Sequence, residues 1–298
     1  MLKHSKTEQR NGHSRGLDQK STLDILRILN REDAHVASAV RRELPRIARA
    51  VDTIVQAFRK GGRLFYLGAG TSGRLAVLDA AEIPPTFGTL PSMVQAIIAG
   101  GKRAMLHAVE GAEDSAANGA RDLAKAKLTR RDVVVGIAAS GTTPYVLGGL
   151  RFARRSGAAT IGLTSNPDSP LARQVQIAIV PKTGPEAIAG STRMKAGTAQ
   201  KMVLNMITTG AMTRLGYVYE NLMVNVNMKN TKLVERGIGI LMRACKVDRA
   251  KAVDTIRVAG KSVRVALVML KAGVDKPEAV RRLESNDCNV RRAIEHGG

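Results

Sequence analysis

Two short stretches of this chain combine glycine with hydroxyl side chains. They are Gly68-Ala69-Gly70-Thr71-Ser72-Gly73-Arg74 and Ala139-Ser140-Gly141-Thr142-Thr143-Pro144. Glycine lets backbone N–H groups approach an oxyanion closely, and a following helix adds the positive end of its dipole. Taken singly, each stretch also fits a tight strand-to-helix turn with polar caps. Two such turns at neighbouring strand ends can surround one phosphate with neutral donors: Gly70, Thr71 and Ser72 from the first, and Ser140, Thr142 and Thr143 from the second. Hydroxyls both donate and accept, so these walls suit a phosphosugar better than a metal-bound triphosphate. The first stretch is formally GxGxxG, but residues 93–101 hold no Asp or Glu to grip a ribose, which argues against a dinucleotide. A P-loop fails as well, because Arg74 stands where that motif needs Lys.

Carboxylates lie close to both stretches. Glu82 sits in Asp79-Ala-Ala-Glu82-Ile-Pro84-Pro85, where two prolines are expected to pin the exit of the first loop's helix. Glu113 lies in the loop Val109-Glu-Gly-Ala-Glu113-Asp114-Ser115, where acids before a helix are usually dipole partners or caps, a reading that spacing alone favours for Glu113 and Asp114. Ser191, Arg193 and Lys195 form a polar segment that could meet an anionic group or make a helix-start salt bridge. The five histidines (His4, His13, His35, His107, His296) have no partners at metal-ligand spacing, and Cys245 and Cys288 stand far apart. Neither a metal nor a cofactor is expected.

The elements that must position these groups follow from periodicity. Apolar runs at 63–68, 93–99, 132–138, 159–164 and 177–180 read as strands, separated by helical stretches near 73–81, 114–126, 145–155 and 171–174. Doubly apolar, β-branched strands alternating with helices predict an α/β fold: a doubly wound, mainly five-stranded parallel sheet covered on both faces. Ligands on such a sheet bind at the carboxyl ends of the strands. Helical patterns precede the sheet, from Thr22 and again at about 36–58. Two more follow it, near 192–215 and 232–244. Residues 1–20 read as a flexible basic arm, 21–245 as the binding and catalytic domain, and 246–298 as a small helical module. In that module residues 247–267 align on 274–294 without gaps at an offset of 27, with seven identities in 21 positions. This pattern points to a duplicated helix pair.

Composition narrows the classes. With no run of 18 apolar residues in 298 and no apolar h-region in its first ten, neither a membrane span nor a secretory leader is expected. Two separated cysteines fit a reducing cytoplasm. The net charge of +22 attracts anions of every kind. With eight Phe plus Tyr and no Trp, however, a base-stacking platform for nucleic acid is hard to build, and no DNA-reading module is evident.

Together the loops resemble the N-acetylmuramic acid 6-phosphate etherase family, which carries a sugar isomerase (SIS) domain and is related to the glucokinase regulatory protein. The resemblance rests on 68–88, GAGTSGRLAVLDAAEIPPTFG; 107–115, HAVEGAEDS; 136–146, GIAASGTTPYV; 190–201, GSTRMKAGTAQK; 205–216, NMITTGAMTRLG; and 221–226, NLMVNV. Thr142 departs from the Arg found in some members. The resemblance implies release of D-lactate from the sugar 6-phosphate by elimination and addition of water. It also implies a small-molecule phosphosugar ligand, a homodimer and a cytoplasmic place in peptidoglycan recycling. It assigns Glu82 as proton donor to departing lactate, a role for which the neighbouring Ile83, Pro84, Pro85 and Phe87 are expected to offer apolar surroundings. It assigns Glu113 as base for C2–H or for the incoming water. A non-catalytic phosphosugar sensor, like the related regulatory protein, is the alternative, and an aldose–ketose isomerase on the same scaffold would share the C2 proton step.

Overall fold

Short, largely apolar runs form the strands of the sheet, and the turns that follow β1 and β3 carry glycines and hydroxyls. The computed structural model describes residues 6–226, 228 and 231–295; His4 and His296 lie outside them. Strands β1 (Leu64–Gly68), β2 (Val94–Ile98), β3 (Val133–Ile137), β4 (Ala159–Leu163) and β5 (Ile177–Ile179) are all parallel, in the order β2-β1-β3-β4-β5. Every residue of β1 and β3 is buried, so both faces of the central strands are covered. Phe65, Leu67 and Val134 share one cluster with Leu123 of α4 (Ala116–Lys125) and with Tyr145, Val146 and Leu150 of α5 (Pro144–Arg155).

Two helices precede the sheet. Helix α1 (Thr22–Arg41) begins at Ser21, whose hydroxyl accepts the Asp24 N–H. It runs further than the periodicity predicts, and the expected 36–58 helix is cut at residues 42–43. Pro45 explains the break: it has no N–H to continue a helix and favours the first turn of α2 (Leu44–Arg59). Glu43, buried at the junction, turns its carboxylate to the Val180 N–H at 3.0 Å.

The chain divides into two compact units: 1–81 with 92–208, and 82–91 with 209–298. The divisions fall inside α3 (Gly70–Phe87) and α7 (Lys195–Arg214). The sequence placed Glu82 beyond the helix, but α3 continues through Pro84 and Pro85 to Phe87. The expected domain boundary at 245/246 falls inside the second unit. That unit holds a two-stranded ribbon, β6 (Val218–Tyr219) with β7 (Leu222–Met223), and helices α8 (Thr231–Cys245), α9 (Arg249–Val258), α10 (Val263–Ala272), α11 (Lys276–Ser285) and α12 (Val290–Glu295). The 27-residue offset recurs in the backbone. Asp248 and Asp275 cap α9 and α11 by accepting the N–H groups of Lys251 and Glu278. Ser262 and Asn289 cap α10 and α12 in the same way, toward Val265 and Arg292. Even where identity is lost the conformations match: Lys246, Gly260 and Lys261 have positive φ, and so do Gly273, Asp287 and Cys288.

Two buried carboxylates hold the first unit together. Asp132, 2% exposed, precedes β3 and accepts the Arg63 amide at 2.8 Å, the Arg63 guanidinium at 2.9 Å and the Thr129 amide at 2.7 Å, so it joins the starts of β1 and β3. Burial pushes its pKa up, but the bonds from Arg63 and Thr129 outweigh burial and leave it below the usual value. Glu32 of α1, 4% exposed, pairs with the ammonium of Lys195 and accepts Asn11 Nδ2 at 2.7 Å; His13 Nδ1 lies 2.8 Å from its other oxygen. Here too burial raises the pKa, and the bonds from Lys195, His13 and Asn11 overcome it, bringing the carboxyl down to about 2.

Because both folded-state pKa values are depressed, the stability these groups contribute is present above the carboxylate range and lost as pH falls. For Glu32 the window runs from 4.5 down to about 2. Loss of roughly 3 kcal/mol is expected across it, read by urea unfolding at a series of pH values, with a flatter profile in a Glu32→Gln protein. Replacing Asp132 by Ala strands the amides of residues 63 and 129 and removes the ion pair with Arg63, and should lower the unfolding free energy by about 3 kcal/mol at neutral pH. An unchanged denaturation midpoint would refute the role given to this clasp.

Candidate functional site

Strand β1 lies between β2 and β3, so the chain leaves β1 in one direction along the sheet and reaches β3 in the other. The turns after β1 and β3 therefore leave adjacent strand ends, with Gly68 in register with Ile137. Both turns line one cavity of about 620 Å³. Its walls include Gly70, Thr71 and Ser72 from the first turn, Ser140, Thr142 and Thr143 from the second, and the carboxylates Glu113 and Asp114.

Close packing explains the first turn. A Cβ on Gly73 would stand 2.5 Å from Ile98 Cγ1 of β2, so only glycine lets α3 start this tightly against the sheet. The first amides of α3 have no carbonyl within the helix to bond, which leaves them to a ligand. Ser72 is buried and donates its hydroxyl to Gln200 Oε1 of α7 at 3.0 Å, so its side chain is braced from behind.

The second turn is braced from the loop that follows β4. Asn166 Nδ2 donates to the carbonyls of Ala139 and Ser140 at 3.1 and 3.2 Å, and the Thr164 hydroxyl donates to Ala139 at 3.1 Å. Gly141 has φ +69°, and a Cβ there would meet Ser169 Oγ at 2.3 Å. Within the turn the Ser140 oxygen accepts both the amide and the hydroxyl of Thr142, at 3.2 and 3.0 Å. Thr143 sits at the N-cap of α5 without spending its side chain on the cap, and Pro144 opens the helix.

Glu113 is exposed and borders this cavity and a neighbouring one of about 350 Å³, which it shares with Gly70, Thr71, Arg74, His107 and Glu110. Ser115 caps α4 by accepting the Asn118 N–H at 3.2 Å, so neither Glu113 nor Asp114 is the capping side chain, although both stand just before the positive end of α4. Among the described residues the Glu113 carboxylate has no hydrogen-bond or ion-pair partner, while its backbone carbonyl accepts the Tyr145 amide at 3.0 Å. Loop and α5 are thus tied together, with the carboxylate left over.

Glu82 belongs to the other unit. Ile83 and Phe87, four residues apart on α3, are 4% and 5% exposed and turn inward, which leaves Glu82 on the exposed side. The apolar enclosure expected around Glu82 is therefore not formed by its own neighbours in sequence.

The third candidate segment is arranged differently from the sequence reading. Thr192 and Gly190 line the large cavity, whereas Ser191, Arg193 and Lys195 are not part of its wall. Arg193 is exposed. Lys195 is 3% exposed and its ammonium is engaged by Glu32. At the same helix start, Glu186 accepts the amides of Lys195 and Ala196 at 3.0 and 2.9 Å. Burial pushes its pKa up, against those bonds. One lining residue that sequence reasoning missed is Glu8, from the arm; a single acid in a polar stretch carries no periodic signal.

Residues 46–154 match the model of the glucokinase regulatory protein N-terminal SIS domain, and residues 101–210 match that of the SIS domain. A putative phosphosugar isomerase from Bacteroides fragilis has a similar fold, with TM-score 0.50 and 21% identity, covering 67% of this chain and 95% of that one. The N-acetylmuramic acid 6-phosphate etherase of Serratia proteamaculans is 53% identical, over 97% of each chain. That of Edwardsiella ictaluri is 54% identical, over 97% of this chain and 96% of its own. At this level of identity along almost the whole sequence, the chain belongs to the N-acetylmuramic acid 6-phosphate etherase family.

Proposed function

We propose that this protein cleaves the D-lactyl ether of N-acetylmuramic acid 6-phosphate, giving N-acetylglucosamine 6-phosphate and D-lactate. The observation that carries the proposal is the cavity at the switch point, where two hydroxyl-bearing turns and an unspent glutamate face one space. Among the described residues the ionisable groups in its wall are all acidic: Glu8, Glu113 and Asp114. A phosphate there would be met by hydroxyls, backbone amides and the positive ends of α3 and α5, rather than by a lysine or arginine of the wall.

An alkyl ether resists direct hydrolysis at neutral pH. Opening the sugar ring exposes an aldehyde at C1 and acidifies the proton on C2. A base takes that proton, and lactate leaves C3 as an alcohol once an acid has protonated its oxygen. Water then adds to C3 of the conjugated aldehyde and the ring closes. The C3–O bond to lactate breaks and the C3–O bond to water forms, and each change is coupled to proton transfers that two placed carboxyl groups can perform. In this proposal Glu82 protonates the departing lactate, and Glu113 is the base at C2–H or on the incoming water. Gly70, Thr71, Ser72, Ser140, Thr142 and Thr143 hold the phosphosugar. Ser191 and Arg193 remain candidate anion contacts, and Lys195 serves from behind the wall. The protein acts as a homodimer in the cytoplasm, in recycling of peptidoglycan sugars.

Purified protein given N-acetylmuramic acid 6-phosphate should release D-lactate in a coupled assay. Glu82→Gln and Glu113→Gln should each lower kcat by about 100- to 10,000-fold. Full-rate lactate release by a Glu82→Ala protein would withdraw the acid assignment. Ketose formation without lactate would favour an isomerase, and sugar-phosphate binding without turnover would favour a sensor.

A further inference from the structure

The N-terminal arm is anchored rather than loose where the structure describes it. Thr7 and Asn11 are 1% and 8% exposed. The Gly190 amide donates to the Thr7 carbonyl at 3.0 Å, joining the arm to the segment that precedes α7. Four residues on, Asn11 donates through Nδ2 to Glu32 at 2.7 Å and to the Pro185 carbonyl at 3.1 Å. Glu32 is the carboxylate that also engages Lys195. The arm, α1 and the start of α7 therefore meet at one buried polar knot.

Between those two anchors stands Glu8. It lines the large cavity together with Gly70–Ser72, Ser140, Thr142, Glu113 and Thr192. Its Oε2 lies 3.0 Å from where a Cβ of Gly190 would be, so the carboxylate stands beside Gly190. Among the described residues it has no hydrogen-bond or ion-pair partner. An ionised carboxylate can only accept hydrogen bonds, and it repels a phosphate dianion.

We infer that Glu8 is a substrate-contacting residue of this site, accepting a hydrogen bond from a hydroxyl or amide N–H of the sugar. The Lys195–Glu32–Asn11 knot is the positioning assembly that keeps it there. By repulsion Glu8 directs the phosphate away from the arm, toward the hydroxyl-bearing turns. Lys195 thus acts through the arm instead of through a bond to the substrate's anionic groups. This inference rests on the function proposed above for the same cavity.

The test measures two quantities for each protein: lactate release from N-acetylmuramic acid 6-phosphate, and calorimetric binding of N-acetylglucosamine 6-phosphate. Glu8→Ala should raise KM and the product Kd by about 10- to 100-fold, as for loss of a hydrogen bond to a charged group, with a smaller change in kcat and an unchanged melting temperature. Lys195→Met should raise KM by a similar factor. Adding Glu8→Ala to it should raise KM no further, because the arm is already displaced. If Lys195→Met does not fold, Asn11→Ala replaces it in the same cycle. Wild-type KM and Kd in Glu8→Ala, or fully multiplicative effects in the double variant, would overturn the inference. Wild-type protein that binds the phosphosugar but releases no lactate would refute the etherase reading alone, because Glu8 would still be judged by binding. Absence of both binding and turnover would end both.

Discussion

The parallel pairing of β1 with β2 on one side and β3 on the other is the constraint from which the site follows. Reversal of the winding direction at β1 leaves no helix crossing between its end and that of β3, so the two turns open beside each other. Strands β1 and β3 are each only five residues long, and the register of Gly68 with Ile137 brings both exits to the same level. At the other end of the same strands, Asp132 ties the start of β3 to Arg63 before β1. The sheet is thus pinned at its base by a buried, charge-assisted cluster, while its top is left free for ligands.

Charge at the site runs against the charge of the chain. The protein carries +22 overall, yet the wall of the large cavity presents carboxylates and hydroxyls. This division suits a reaction whose bond changes are coupled to proton transfers. Basic side chains placed directly against a carboxylate that must take up a proton would lower its pKa and weaken it as a base, whereas neutral donors meet a phosphate with less such effect. The basic residues are then left to draw an anionic substrate by long-range attraction. Lys195 illustrates the economy: its ammonium is taken up by Glu32, away from the wall.

The second unit shows how much sequence a backbone can lose and keep its shape. Its two helix pairs share the capping residue Asp248/Asp275 and exchange Ser262 for Asn289, both of which accept an N-terminal amide. The turn at Gly260-Lys261 recurs as Asp287-Cys288 with the same left-handed conformation, although no residue is shared. Caps and turn geometry persist because unpaired helix-end amides must be satisfied in both copies, whereas the side chains between them need only pack.

Local chemistry was legible in the linear sequence. Apolar runs named the five strands, glycine and hydroxyls named the two turns, and the offset of 27 named the duplicated helices, because each is a property of neighbours along the chain. Three things depended on distant contacts. The helix α3 runs through Pro84 and Pro85, so that Glu82 lies within it, exposed, while Ile83 and Phe87 turn inward. Lys195, an apparent ligand for anions, is consumed by a carboxylate 163 residues earlier. Glu8, one acid in a polar arm, reaches the cavity only because Thr7 and Asn11 are fastened to residues 190 and 32. Residue type and spacing determine which groups are available; which of them are spent on one another, and which remain for a substrate, is decided when segments far apart in sequence are buried together and every buried charge must find its partner.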